Sequence, residues 1–252
     1  KLSIGISHSS GDIIFFLDDD DLFSREKIAY VTKKFREYDI GFYQNAQLVF
    51  YDDIITTNVN DQKIFYYYKK VESEKILNFL LHKLKAGFNT SSIVIRRDLA
   101  EKCKLILKNV KISADTFLFF CAIEYDFPVM VDRSRLTYYR KIRKRITNKD
   151  LKIRSLRMYY DDALYFKIIF SKDILRNNIE MSVRQREFIY KIFSSEINRT
   201  EAITYTLKFI GDLFGFTSKW NAFILLLAIS SILSKRLSQD LFIRFVFSNS
   251  LF

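Results

Sequence analysis

The sequence predicts an α/β fold, a sheet flanked by helices, followed by an α-helical C-terminal region. An unbroken apolar run at residues 13–17 leads straight into four aspartates, and a helix-like pattern follows. Such a run without alternation is typical of a strand covered on both faces in a parallel sheet. After about residue 150, apolar residues recur among Lys, Arg and Ser without strand patterns of comparable strength. We therefore place an α/β domain at residues 1–150 and a helical region at residues 151–252.

Composition bounds the classes of protein to which the chain belongs. The chain has 252 residues, of which 49% are hydrophobic, and only one proline and six glycines. This length and composition suit a large folded core rather than linkers or disorder. Two cysteines without a CxxC pattern and two isolated histidines exclude a disulfide scaffold and argue against zinc or histidine-based metal sites. The net charge of +12 attracts nucleic acid, anionic membranes or sugar-nucleotide diphosphates alike.

The first elements of the domain are predicted as follows. Residues 4–10 form the end of a helix or a loop, and Gly11 breaks the chain before the first strand. Ser24 is the expected N-cap of a helix that reaches Tyr38. Its apolar stripe is Ile28, Val31 and Phe35, which recur at helical spacing. A strand at residues 42–51 and an irregular polar segment at residues 52–70 come next.

The second half of the domain alternates helices and strands. An amphipathic helix over residues 76–84 is followed by Gly87 as a C-cap. A buried strand is expected at residues 88–96, and Asp98 with Glu101 resembles a capping box for a helix that reaches Leu107. Asp115 precedes a mostly buried helix over residues 117–123, and two short strands are expected at residues 128–131 and 136–139.

The four aspartates at residues 18–21 are the strongest functional feature. In an extended chain Asp18 and Asp20 point to one side, while Asp19 and Asp21 point away, with Asp21 expected to face the following helix. Carboxylates at the C-terminal end of a strand lie where open α/β sheets bind ligands. Adjacent like charges repel, and a hard cation such as Mg²⁺ or Mn²⁺ would offset them. The alternative is an acidic turn that caps the next helix.

Several segments together resemble the family 2 glycosyltransferases of GT-A fold over residues 2–147. Residues 5–12 resemble the family's small residues before a Gly-Asp turn, and residues 16–21 resemble its "fLDxDD" signature, which contains the DXD motif. Residues 91–97 resemble its mid-domain segment. Residues 114–118 resemble its "ED" motif, and residues 138–140 resemble its "YR". Ala114 stands where the family usually has Glu, and Ile142 where a His often follows the "YR".

The resemblance implies a partial GT-A (Rossmann-like) mixed sheet and metal-dependent, inverting sugar transfer. By this resemblance the donor would be a nucleotide-diphosphate sugar, and the acceptor would be a hydroxyl of a glycan or of a lipid-linked molecule. Asp20 with Asp18 would bind Mn²⁺ or Mg²⁺ and the donor, Arg140 would contact the donor, and Asp115 would be the catalytic base. The chain enters its first strand almost at once and has no initiator Met or signal peptide. We therefore expect a product that lacks the family's N-terminal nucleotide-binding segment.

Three alternatives stay open. The chain is an active transferase, a truncated inactive relative that serves as a binding module, or a nucleic-acid-binding protein favoured only by charge. No nucleic-acid motif is present and the acidic run opposes the last, so we expect no nucleic acid partner. Asp115 could instead cap its helix. The basic residues 140–145 could contact phosphates or headgroups, or form a solvated run.

Location is predicted from the C-terminal region. Its longest apolar run, residues 222–233, is too short to cross a bilayer and contains serines. The pattern is therefore compatible with two alternatives. The region is either an amphipathic surface that contacts the membrane, or an ordinary packed helical subdomain or protein interface. We expect a cytoplasmic protein, or one that is peripheral at the inner face of the cell membrane.

Overall fold

The structure is a computed structural model that describes residues 1–51, 64–141, 149–215 and 219–249, without the side chains of 149, 213–215, 219, 235 and 244–249. The chain forms two compact units, Lys1–Arg145 with Ile168–Arg176 and Ile146–Lys167 with Asn177–Phe252. The domain boundary near residue 150 stays a prediction. Residues 52–63 of the predicted polar segment and residues 142–145 of the basic run, with Ile142, lie outside the described residues.

The first unit alternates short strands and helices. Its elements are α1 (Leu2–His8), β1 (Ile13–Phe15), β2 (Leu22–Phe23), α2 (Lys27–Glu37), β3 (Phe42–Phe50), β4 (Phe65–Tyr68), α3 (Glu74–Asn78), a π-helical turn (Phe79–Lys83), a 3-10 turn (Thr90–Ser92), β5 (Ile93–Arg96), α4 (Arg97–Leu107), α5 (Ala114–Glu124) and β6 (Val129–Arg140). The predicted ends of α2 and α4 agree with the structure to within one residue.

The strands form one mixed sheet in the order β1-β5-β3-β6-β2, with β4 also paired to β6. The strands β3 and β6 are parallel, and the other pairs are antiparallel. The predicted fold class, a mixed sheet flanked by helices and followed by a helical region, is confirmed. The parallel surroundings predicted for the first strand are wrong, because within the described residues β1 pairs only with β5. A run of apolar residues indicates that a strand is buried, but it does not indicate which strand pairs with it or in which direction.

Both faces of the central strand β3 are buried. Tyr43 packs with Val31 of α2, Val94 of β5 and Met130 of β6 in one core cluster. Phe42 points the other way, and its ring lies 5.4 Å from that of Phe119 in α5. Side chains that alternate along a strand thus give each face its own helical cover.

Several predicted boundaries differ from the structure. The strands predicted at 128–131 and 136–139 are one strand, β6, whose register against β3 shifts near Asn45 and Ala46. The strand predicted at 88–96 begins only at Ile93, after the 3-10 turn. The helix α2 begins at Lys27 without a side-chain cap from Ser24. At α4 the Asp98 carboxylate accepts from the next residue's N–H instead of forming a capping box.

The second unit is helical in its described residues, as predicted. The helices that follow β6 are α6 (Lys149–Ile169), α7 (Asp173–Ser194), α8 (Arg199–Gly215), α9 (Lys219–Leu233) and α10 (Lys235–Asn249). The core of this unit gathers buried residues of α7, α8, α9 and α10, among them Phe188, Phe209, Leu227 and Phe242. Of the helices in the described ranges, none combines the length and the hydropathy that a bilayer-crossing segment needs.

Candidate functional site

Residues 18–21 form a turn, which we call the acidic turn, between β1 and β2. The backbone N–H of Asp21 donates to the carbonyl of Asp18 at 3.3 Å. Asp18, Asp19 and Asp20 are exposed residues, although neighbouring atoms partly enclose the Asp18 carboxyl, whereas Asp21 is only 4% exposed. The Asp21 Oδ1 atom accepts from the backbone N–H of Arg140 at 2.9 Å. The extended conformation predicted for these residues is therefore wrong. The Asp21 side chain accepts its hydrogen bond from the last residue of β6.

Arg140 holds the acidic turn from the end of β6. Its Nε donates to the carbonyl oxygen of Asp20 at 3.1 Å, and its guanidinium lies 4.9 Å from the ring centre of Phe50. Phe50 and Arg140 are paired at the carboxyl ends of the two parallel strands. The structure thus brings Asp18, Asp20 and Arg140 together at the sheet edge where ligands bind in α/β folds.

The acidic turn concentrates negative charge. Burial among neighbouring atoms raises the pKa of the Asp18 carboxyl, and repulsion from Asp21 and Asp20 raises it further. The Ser91 side chain opposes this rise, since hydrogen bonds to a carboxylate favour its charged form. A cation placed near Asp18 would relieve the same repulsion and lower its pKa.

A loop at residues 87–92, the 87–92 loop, connects the acidic turn to Asp115. The backbone N–H of Asp18 donates to Ser91 Oγ at 2.9 Å. The N–H of Ser91 donates to Asn89 Oδ1 at 2.8 Å, and the N–H of Asn89 donates to Asp115 Oδ2 at 3.0 Å. An unbroken series of hydrogen bonds therefore runs from the acidic turn to the predicted base.

Asp115 lies in the first turn of α5, half-buried. Its Oδ1 accepts from the N–H of Thr116 at 2.7 Å, while Oδ2 accepts from Asn89. The N-cap position itself is occupied by Ser113. The carboxylate therefore both favours the helix start, through its negative charge, and fixes the 87–92 loop. These contacts orient the side chain without assigning it a chemical role.

Gly87 allows the 87–92 loop to approach α5 closely. Its φ is +73°, and a Cβ there would lie 3.1 Å from Cβ of Phe119 and 3.2 Å from Cα of Thr116. Its N–H donates to Gln44 Oε1 at 2.7 Å, and its carbonyl accepts from Thr116 Oγ1 at 3.2 Å. The predicted C-cap role is wrong, because the preceding π-helical turn ends at Lys83, before Leu84. Glycine is needed here for its positive φ and small volume.

Tyr139 of β6 lies within electrostatic range of the acidic turn and of Asp115. Burial raises the pKa of its phenol, and the charges of Asp21, Asp20, Asp18 and Asp115 raise it further. Its ring centre is 6.3 Å from that of Phe88 in the 87–92 loop. Tyr139 therefore stays a neutral hydroxyl that can donate a hydrogen bond, within electrostatic range of every predicted carboxylate.

The prediction from sequence missed Lys27, Ser91 and Tyr139. Lys27 is fully buried, whereas Ile28 is 58% exposed, so the buried face of α2 is rotated from the predicted stripe. Tyr139 and Ser91 fell within segments that carried the family resemblance, which was the available signal. No pattern in the sequence marked Lys27, because a lysine in a helix is ordinarily a surface residue.

The predicted metal site at Asp18 and Asp20 has few potential ligands. Among residues 1–51, 64–141 and the described later ranges, no group of three or more His, Cys, Asp or Glu side chains is arranged to hold a metal ion. The exposed carboxylates of Asp18 and Asp20 supply hard oxygen donors of the kind that Mg²⁺ and Mn²⁺ prefer. The roles predicted for Asp18, Asp20, Arg140 and Asp115 stay predictions.

Solved structures similar to this chain include crystal structures of S. aureus TarS residues 1–349. The first has a TM-score of 0.47 and 12% identity, and covers 95% of this chain and 61% of its own. The complex with UDP-GlcNAc has a TM-score of 0.45 and 11% identity, covering 92% and 60%. The complex with UDP has a TM-score of 0.43 and 12% identity, covering 92% and 59%. The chain thus spans about three-fifths of the length of these structures.

The family comparison bears on the N-terminal part of the chain. Residues 1–103 match the family model described as glycosyl transferase family 2. No curated protein is similar enough to this chain to count as a match. The matched residues include the acidic turn, the 87–92 loop and Lys27, but stop before Asp115 and β6. The resemblance to the family 2 glycosyltransferases found in the sequence is thereby confirmed over residues 1–103, which match the family model.

Proposed function

We propose that the protein transfers a sugar from a nucleotide-diphosphate donor to a hydroxyl group of a glycan or lipid-linked acceptor. The observation that carries the proposal is the hydrogen-bonded connection from Asp18 through Ser91 and Asn89 to Asp115. The connection supports the proposal because it joins an acidic turn, suited to a metal-bound diphosphate, to a carboxylate suited to deprotonate an acceptor. The family match over residues 1–103 supports the same reaction class.

In this proposal Asp115 is the general base. An acceptor hydroxyl must lose its proton as it attacks the anomeric carbon, and a positioned carboxylate can take that proton. The N–H groups of Thr116 and Asn89 hold both carboxylate oxygens in place. Attack from the side opposite the departing diphosphate inverts the anomeric centre. The leaving diphosphate keeps the electron pair of the broken glycosidic bond.

Asp20 and Asp18 would hold Mn²⁺ or Mg²⁺. Their exposed carboxylates, together with the repulsion that raises the pKa of Asp18, fit a divalent cation. A bound ion would neutralise charge that develops on the leaving diphosphate. The Arg140 guanidinium, held against Asp20 and Phe50, would add a donor toward the same phosphate oxygens.

Asp20→Ala in the complete protein tests the proposed metal-dependent reaction. We expect about a hundred-fold or greater loss of Mn²⁺-dependent sugar transfer and of donor hydrolysis, since an electrostatic group at the leaving phosphate is removed. The measurement is release of nucleoside diphosphate from a panel of UDP-, GDP- and dTDP-sugars at increasing Mn²⁺. Asp19→Ala is the matched control, because its side chain is also exposed on the turn. Equal activity of Asp20→Ala and wild type would refute the metal assignment.

Peripheral contact with the inner face of the cell membrane is the second part of the proposal. Ala222, Leu226, Ile229 and Leu233 are exposed along α9. Leu233 is 76% and Leu226 is 51% exposed. These four positions recur at helical spacing without a charged residue, which favours contact with an apolar phase.

Flotation with vesicles that contain anionic lipid tests this contact. Burial of a leucine contributes roughly 1.5–3 kcal/mol, so Leu226→Lys with Leu233→Lys should lower the bound fraction at least about tenfold. The matched control is Thr200→Lys with Thr204→Lys, which adds the same charge at exposed polar positions of α8. If both pairs float like wild type, the membrane assignment is wrong.

A further inference from the structure

Lys27 is a fully buried lysine, 0% exposed, at the start of α2. Its Nζ donates to the carbonyl oxygen of Ser91 at 2.5 Å and to Thr137 Oγ1 at 2.9 Å. The same ammonium lies 3.9 Å from the ring centre of Phe23. One side chain thus contacts the 87–92 loop, β6 and β2. Desolvation makes a buried amine costly, so its contacts must compensate for the lost hydration.

Ser91 is the point where these contacts meet the predicted site. Its Oγ accepts from the N–H of Asp18, and its own N–H donates to Asn89. Its carbonyl accepts from Lys27 and from Thr137 Oγ1, the latter at 3.2 Å. Ser91 is itself 0% exposed. Each polar group of Ser91 is therefore committed, and movement of its carbonyl would move the partners of both Asp18 and Asp115.

Thr137 completes the network on the side of β6. Its hydroxyl accepts from Lys27 and from Asn45 Nδ2, the latter at 2.9 Å, and donates to the Ser91 carbonyl. Asp21 is the charged group that stabilises the Lys27 ammonium, and Asp21 also holds the end of β6. The buried network thus reaches both ends of the acidic turn.

We infer that Lys27 is a positioning residue for sugar transfer. Through Ser91 it fixes the acidic turn relative to the Asn89–Asp115 contact. This role rests on the proposed function but assigns Lys27 no contact with donor or acceptor. An apolar side chain of the same size would fill the space, yet would leave the Ser91 carbonyl with Thr137 as its remaining partner from this network. The expected consequence is a turn that is folded but less well fixed.

Lys27→Met and Ser91→Ala in the complete protein test the inference. We expect each variant to fold, to lose about tenfold or more in kcat, and to need severalfold more Mn²⁺ for half-maximal activity. The KM of the acceptor should change less. Because both substitutions interrupt one connection, the double variant should lose less than the product of the single losses. Ser92→Ala is the matched control, since Ser92 is equally buried and its Oγ has no hydrogen-bond partner among the described residues.

Amide hydrogen exchange of Asp18 and Asn89 provides a readout that does not depend on activity. Exchange should accelerate at both amides in Lys27→Met and stay at the wild-type rate in Ser92→Ala. Wild-type protection together with wild-type kcat and Mn²⁺ requirement in a folded Lys27→Met would overturn the inference. A wild-type protein that transfers no sugar would instead overturn the proposed function, and faster exchange in Lys27→Met would then still establish its positioning of the turn.

Discussion

Replacement of Asp115 by Asn is expected to reduce sugar transfer by roughly 10²–10⁴-fold, the usual contribution of a general base. Asparagine has nearly the same volume and keeps one oxygen that can accept from Thr116 or Asn89, so the fold should survive. Its neutral amide cannot take the acceptor's proton. The measurement is the transfer rate with saturating donor and acceptor, combined with calorimetric binding of the nucleoside diphosphate and Mn²⁺, which should be unchanged.

The chain offers a close control in Asp98→Asn. Asp98 is the second residue of α4, as Asp115 is of α5, and its Oδ1 also accepts from the N–H of the following residue. Both substitutions remove a negative charge from a first helical turn, worth about 0.3–1 kcal/mol. Each also weakens one further contact of that carboxylate, with Arg96 Nε at Asp98 and with the Asn89 N–H at Asp115. If Asp115→Asn lowers stability by a similar amount and leaves transfer unchanged, Asp115 is a helix-stabilising residue and the assignment as base is wrong.

Part of the candidate site could be predicted because several of its residues stand beside a strong local pattern in the sequence. Asp18 and Asp20 follow an apolar run directly, and Asp115 opens an apolar helix, so pattern and family resemblance both identify them. Local patterns also predicted the end of α2 and the course of β3, since these depend on side chains a few positions apart. The helical character of the region after residue 150 followed from the same kind of pattern.

What could not be predicted depends on contacts between distant segments. The turn at residues 18–21 is fixed by Arg140, more than a hundred residues away, and its conformation therefore differs from the extended one. Likewise, the apolar pattern placed Ile28 on the buried face of α2 and did not mark Lys27. In the structure Ile28 is exposed and Lys27 is buried, because Ser91 and Thr137 provide a polar pocket that only the folded chain forms. A single sequence does not record such partners.

The burial of Lys27 should also make the protein more stable as pH rises. A lysine in an ordinary ion pair has the opposite effect, because the pair is lost when the amine releases its proton. Burial lowers the pKa of its amine from 10.5 to about 7, although Asp21 opposes the change. Between these values the unfolded chain binds a proton that the folded protein has released. Stability therefore rises with pH across this window.

Between pH 7 and pH 9 we expect the free energy of unfolding of the wild type to increase by about 2 kcal/mol relative to that of Lys27→Met. The slope is roughly 1.36 kcal/mol per pH unit once the amine of the folded protein is neutral. Urea denaturation of both proteins at pH 7, 8 and 9, followed by circular dichroism, measures the difference. Other titrating groups are common to both and cancel. Parallel pH dependences would show that Lys27 keeps its proton in the folded protein, and a wild type that loses stability relative to Lys27→Met would show that its contacts favour the ammonium over the cost of burial.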